Sequence, residues 1–339
     1  MASFLGLPVE EMTAHGAIDS TDVFKLRSLL ETEGAISAED ADALFAIEAT
    51  DRAEDRSWVD FFVATIADLI VTQTAPVGYL DEGKARWLTD RIALEGRLES
   101  RPRLELLITV IARARYAPPY LSALALDQVR LALADGCGPL GAACHEADSV
   151  GNIGRGIDTF DVELIRRILY AFGGDEALPI TAAEAEVLLA IDEVASAKAS
   201  DARSEWADLF AKITANLILA ASGHLVPTRE RALARDLPAV GGVDVSRTPL
   251  ELLNAIRVLA AYRGLSVEAR AIHDLEMERI ELVVGASLAP PDADWLAARL
   301  TSNARTGMSE QAIMACVAAA EQQLHPALRD AVDRIARAA

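Results

Sequence analysis

Residues 36–71, ISAEDADALFAIEATDRAEDRSWVDFFVATIADLIV, are echoed at residues 180–219 by ITAAEAEVLLAIDEVASAKASDARSEWADLFAKITANLIL. A chain that writes one apolar pattern twice must bury it twice, so its architecture is set before any single residue is considered. Each copy opens on a hydroxyl residue followed three positions later by an acid, Ser37 with Asp40 and Thr181 with Glu184. That spacing is a capping box, in which each side chain satisfies a free amide of a helix's first turn. Behind the boxes, Ala41, Leu44 and Phe45 in one copy and Ala185, Leu188 and Leu189 in the other form the inward stripe of a helix.

A second helix in each copy opens on tryptophan. Trp58, Phe61, Phe62, Ile66, Leu69 and Ile70 match Trp206, Leu209, Phe210, Ile213, Leu217 and Ile218, apolar positions recurring every three or four residues as a core-facing helix requires. Upstream, Asp19 and Asp22 with Val23, Leu26 and Leu30 match Asp158 and Asp161 with Val162, Ile165 and Leu169. Downstream, Leu104, Leu106, Leu107 and Val110 are echoed by Leu250, Leu252, Leu253 and Ile256. Tandem duplication is the simplest account. The expected fold is all-α, with a first repeat unit at residues 1–135, a glycine-rich linker at 136–156, a second repeat unit at 157–286 and a shorter C-terminal helical unit at 287–339.

Composition agrees. Aromatic residues are only 5% of a chain that is 52% apolar, with Ala and Leu dominant and β-branched runs short, which favours helix over strand. The formal charge of −20 repels phosphate backbones and anionic lipid surfaces, so direct nucleic-acid binding is not expected. Residues 58–71, the strongest apolar stretch, contain Asp60 and Asp68 and fall short of the ~20 residues that cross a bilayer. The opening MASFLGLPVEEM lacks a basic segment and a long apolar segment, so no export signal is read there. Three cysteines form no disulfide framework, and a reduced, cytoplasmic setting is expected.

Residues that could carry chemistry are sparse. Gly136, Gly138 and Gly141 spell G-x-G-x-x-G, but the residues before them read as helix, whereas a dinucleotide fingerprint needs a preceding strand. Cys137, Cys144, His145, Glu146 and Asp148 share one loop without the short C-x₂₋₄-C spacing of structural zinc. Two segments, at residues 16–22 and 34–40, resemble the ends of calcium loops but lack the D-x-[DN]-x-[DN]-G core. The five histidines are isolated, and no metalloprotease, P-loop or nucleophile-elbow motif occurs. No catalytic residue set and no cofactor are expected.

Polar positions that repeat carry more weight. Arg27 and Arg166 interrupt apolar faces, and Asp60 and Asp208 flank the two Trp-led stripes. One reading is an Arg–Asp pair stitching two helices in each copy, since semi-buried charges are usually paired. The other is a polar ligand-binding spot, made twice. Separately, Glu39, Asp40 and Asp42 crowd one end of the first unit and form a candidate interaction face.

EGAISAEDADALFAI and its echo ALPITAAEAEVLLAI, each followed by an LELL-type segment, resemble the helical modules of the TerB-like tellurite-resistance group. That resemblance implies an all-helical fold and a link to metal stress, with acidic metal-binding surfaces that would fall on Glu39, Asp40 and Glu184. The expected function is that of a non-catalytic acidic scaffold acting through a protein partner or self-association. The alternatives are a stress protein binding divalent metal weakly and an enzyme with a cleft between the repeats.

Overall fold

The computed structural model describes residues 3–4, 6–8, 18–50, 55–141, 154–173, 179–198, 200–222, 266–288, 293–302 and 324–338. The fold is all-α. Among the described residues are twelve α-helices, and the strands are confined to two antiparallel pairs of two residues each. No helix among them is long and apolar enough to cross a membrane. The chain divides into two compact units, Met1–Pro118 and Pro119–Ala339.

In the first unit, β1 (Ser3–Phe4) pairs with β2 (Leu7–Pro8). Helix α1 (Ser20–Glu33) starts at Asp19, whose carboxylate accepts from the amides of Thr21 and Asp22. Helix α2 (Ala38–Thr50) carries the expected box, Asp40 N–H donating to Ser37 Oγ at 3.1 Å and Ser37 N–H to Asp40 at 2.9 Å. Helix α3 (Arg56–Asp68) runs into a π-helical turn, Leu69–Gln73. Its stripe packs against α5 (Arg101–Arg113), and Trp58, Phe62 and Ile66 on the one helix and Leu106, Leu107 and Val110 on the other are all buried. Helix α1 also packs on α3, which makes α3 the centre of the unit.

Two local features escape the periodicity. Between α4 (Glu82–Ile92) and α5, β3 (Ala93–Leu94) turns back as β4 (Arg97–Leu98) through Glu95 and Gly96, both at positive φ. That is the type I′ reversal, which takes left-handed backbone at both central positions. The second feature is Lys84, buried on α4, whose ammonium donates to the carbonyls of Thr74, Pro76 and Tyr79 at 2.6, 2.8 and 2.9 Å. Those three acceptors close the loop after the π turn. Burial pushes the Lys84 pKa below its ordinary value, and Asp81 pulls it part of the way back.

The second unit begins earlier in the chain than the repeat pattern implies. Helix α6 (Tyr120–Asp135), expected to complete the first repeat at residue 135, packs instead with α7 (Thr159–Gly173) and most extensively with α8 (Ala182–Ser196). Specific polar bonds hold it there. Ser122 donates to the buried Glu184 at 2.8 Å, and Lys198 Nζ donates to the Leu133 carbonyl at 2.6 Å. Gly154 lies so close under the end of α6 that a Cβ there would meet Leu133 O at 1.9 Å. Sequence matching could not see this, because it groups segments by likeness and packing groups them by contact.

Helix α9 (Arg203–Ala221) is the second unit's central element, buried on every side from Leu209 onward and touched by α7, α8, α10 (Val267–Leu288) and α11 (Ala293–Ser302). The expected separate piece at 287–339 is not separate where it is described, for α11 packs both on α9 and on α12 (Pro326–Ala338) within the one compact unit. The echoes at 250–257 and most of the 136–156 linker lie outside the described residues.

Candidate functional site: a polar recess at Arg166

Helix α7 is pinned at its start by a reciprocal box. Asp161 N–H donates to Asp158 at 2.9 Å, and Asp158 N–H donates to Asp161 at 3.0 Å. Arg155 closes over the same carboxylates, reaching Asp161 Oδ1 at 2.6 Å and Asp158 Oδ2 at 3.1 Å, which raises its own pKa further. Asp161 is therefore fully buried yet satisfied. This rigid start fixes the register in which Arg166 points.

Arg166 is only 7% exposed, and its Nε and Nη1 make no hydrogen bond. Among the described residues Arg166 forms an ion pair with Glu163 on the same helix, whose Oε1 is 3.5 Å from Nε, but no hydrogen bond. Burying N–H groups of a guanidinium without acceptors is costly, so the arrangement calls for explanation. Arg166 lines a recess of about 300 Å³ together with Ser204, Glu205 and Asp208 from the first turns of α9.

The helical period explains why α9 supplies that wall. Trp206, Leu209, Phe210 and Ile213 take the buried stripe, which leaves Ser204, Glu205 and Asp208 together on an exposed face. Asp208 is held by the buried Lys212 ammonium at 2.8 Å, one turn along. Ala202 at the N-cap position brings no side-chain bond, so the amides of this first turn are left without a side-chain acceptor. Among the described residues, the recess thus combines a desolvated guanidinium, an uncapped helix start, a hydroxyl and two carboxylates. Those groups can bind and orient a polar ligand group.

The other sequence-flagged residues fare differently. Arg27 and Asp60 are both exposed, with no ion pair joining them, and Asp208 pairs with Lys212 in place of Arg166. The expected Arg–Asp stitch therefore forms in neither place, and the polar spot is not made twice. The cause is coverage: α1 buries only Val23 and Leu26 against α3, whereas α7 is enclosed by α6 as well as α9.

The candidate acidic face is largely occupied by its own chain. Asp40 accepts at the start of α2, and Asp42 accepts from Arg91 Nε at 2.7 Å, whose guanidinium lies 4.1 Å over the Trp87 ring. Of the three, only Glu39 is exposed with no such bond. Glu184, singled out by the TerB-like resemblance, is fully buried between Thr181 and Ser122.

Cys137 is half-buried, while Cys144 and His145 lie outside the described residues. Among the described residues no three His, Cys, Asp or Glu side chains gather as a metal would require. In the calcium-like segment 34–40, Gly34 ends α1 and Ser37 with Asp40 caps α2.

Sequence reasoning missed a second polar cluster, in the core of the first unit. Glu48 on α2 accepts from Arg103 Nε on α5 at 2.7 Å and from the Ser100 hydroxyl, and Arg103 also reaches Glu99 and the Arg91 carbonyl. Every member is satisfied inside the unit, which marks the cluster as structural. Glu48 stands among Leu44, Phe45 and Ile47, so its position on a buried face was the available signal. Comparison with known proteins returns no matching family model, no similar curated protein and no similar solved structure.

Proposed function

We propose that this chain is a non-catalytic helical binding protein that acts through contact with another protein, and that the recess at Arg166 is where it grips that partner. The observation that carries the reading is the buried guanidinium with two N–H-bearing nitrogens left without acceptors beside an open polar recess. Elsewhere in the described core, charged groups are consumed in construction: Glu48 with Arg103, Lys84 with three carbonyls, Asp161 with Arg155. A group held desolvated and under-bonded is ready for an acceptor supplied from outside. The TerB-like resemblance and the tandem duplication fit an all-helical module of this kind, and the acidic surface would steer a basic partner toward it.

The test is capture from an extract of the native host by the tagged full chain, with Arg166→Met and Glu205→Lys variants in parallel. A protein recovered in fixed ratio by the wild type and lost with both variants supports the reading. A partner retained equally by all three, or turnover of a substrate by the purified chain, would overturn it.

A further inference from the structure

We infer that the ligand group of this recess is a carboxylate set between basic groups, an acidic side chain carried in a basic segment of the partner protein. The inference rests on the binding reading above and names the chemistry of what is bound. Arg166 decides the first half. A guanidinium presents its donors as a planar fork, and a carboxylate is the protein group that can meet two of them at once. In the free chain that place is half-taken by Glu163, whose oxygen stands 3.5 Å from Nε, too poorly oriented to bond, on a side chain that is 45% exposed. An incoming carboxylate replaces it at the Nε edge and makes there the hydrogen bond that Glu163 does not. The first turn of α9, with no capping side chain, adds its partial positive field to the same place.

The rim decides the second half. Glu205 stands in that first turn, Asp208 one turn later is already neutralised by Lys212, and the chain as a whole carries a formal charge of −20. A free anion is repelled on approach to such a surface. A carboxylate flanked by lysines or arginines is attracted to it, and Glu205 receives one of the flanking cations while Arg166 receives the acid. A phosphate group, with nearly twice the charge, is disfavoured by the same rim.

The experiment uses the full chain and two fluorescein-labelled peptides, capped at both ends, KKEKK and its twin KKQKK, followed by fluorescence anisotropy at about 50 mM salt, where screening is modest. The wild type is expected to bind the glutamate peptide at least about ten-fold more tightly than the glutamine twin. Arg166→Met should erase that difference, and Glu205→Gln should weaken both peptides alike. Equal binding of the twins by the wild type, or a preference that persists in Arg166→Met, would overturn the carboxylate. Acetate or phosphate alone competing as well as the glutamate peptide would overturn the basic context. If the twins bind equally while the extract partner is still lost with Arg166→Met, only this inference fails; if the partner is retained by Arg166→Met, the binding reading itself fails.

Discussion

Trp206 donates its indole N–H to Asp192 Oδ1 at 2.9 Å, joining α9 to α8 from within the core of the second unit. Trp58, which heads the corresponding stripe in the first unit, is equally buried, but its Nε1 makes no hydrogen bond. The acid at the matching place on α2 is Glu48, and it is engaged by Arg103 and Ser100. Two similar sequences have thus spent the same acidic position on different partners.

The first prediction follows from that contrast. Trp206→Ala should cost about 3–5 kcal/mol as a large buried side chain is lost. In a double-mutant cycle of Trp206→Phe with Asp192→Ala, denaturant titration should show a coupling of about 1.5–3 kcal/mol, the worth of a hydrogen bond to a charged group. Trp58→Phe should be the milder change, since no bond is broken.

The second concerns the buried pair in the first unit. Glu48→Ala should destabilise by about 3–5 kcal/mol, because Arg103 would stay buried without its countercharge. Replacing both residues together, with Glu48→Leu and Arg103→Met, should restore most of that loss. Thermal melts of the two variants beside the wild type separate the outcomes, and a double variant less stable than the single would show that the pair itself supplies the stability.

Acid is the third test. The carboxylates of Asp19 and Asp55 lie below the ordinary value of 3.8, Asp19 through the amides of Asp22 and Thr21 and Asp55 through the hydroxyl and amide of Ser57. A carboxylate whose pKa is lower in the folded state stabilises fully above its unfolded value and loses that contribution as pH falls through the folded one. Helix starts α1 and α3 should therefore weaken below about pH 4. Asp19→Asn and Asp55→Asn should each flatten that part of the stability–pH curve, and a curve unchanged by both would contradict the capping role.

The recess supplies the fourth. A guanidinium buried without hydrogen bonds is a liability to the free chain, so Arg166→Met should leave the melting temperature unchanged or raise it. A fall of several degrees would mean that Arg166 is a structural group like Arg103.

What the sequence disclosed and what it hid divide along physical lines. Capping boxes at Ser37 and Thr181 and the stripes behind Trp58 and Trp206 were legible because they are local, fixed by neighbours three or four residues away. The placement of α6 was not, since the bonds from Ser122 to Glu184 and from Lys198 to Leu133 join residues far apart in the chain. Arg166 stood out by its apolar surroundings. The residues that line the recess with it did not, because Ser204 and Glu205 read as an ordinary helix start, and only packing shows that α7 is enclosed where α1 is open. Glu39, Asp40 and Asp42 erred in the opposite sense, for a run of acids looks free until a cap and Arg91 are found to hold two of them.

The central claim is that Arg166 holds unmet donors for a partner, and the arginine Nε–Hε resonance reports on that group itself. In a nitrogen–proton correlation spectrum of the full chain, assigned by its disappearance in Arg166→Met, the signal should be protected from solvent exchange in the free protein. On saturation with the captured partner it should shift more than any other arginine Nε–Hε signal in the described units. A resonance that stays in place while the partner is bound would contradict the account.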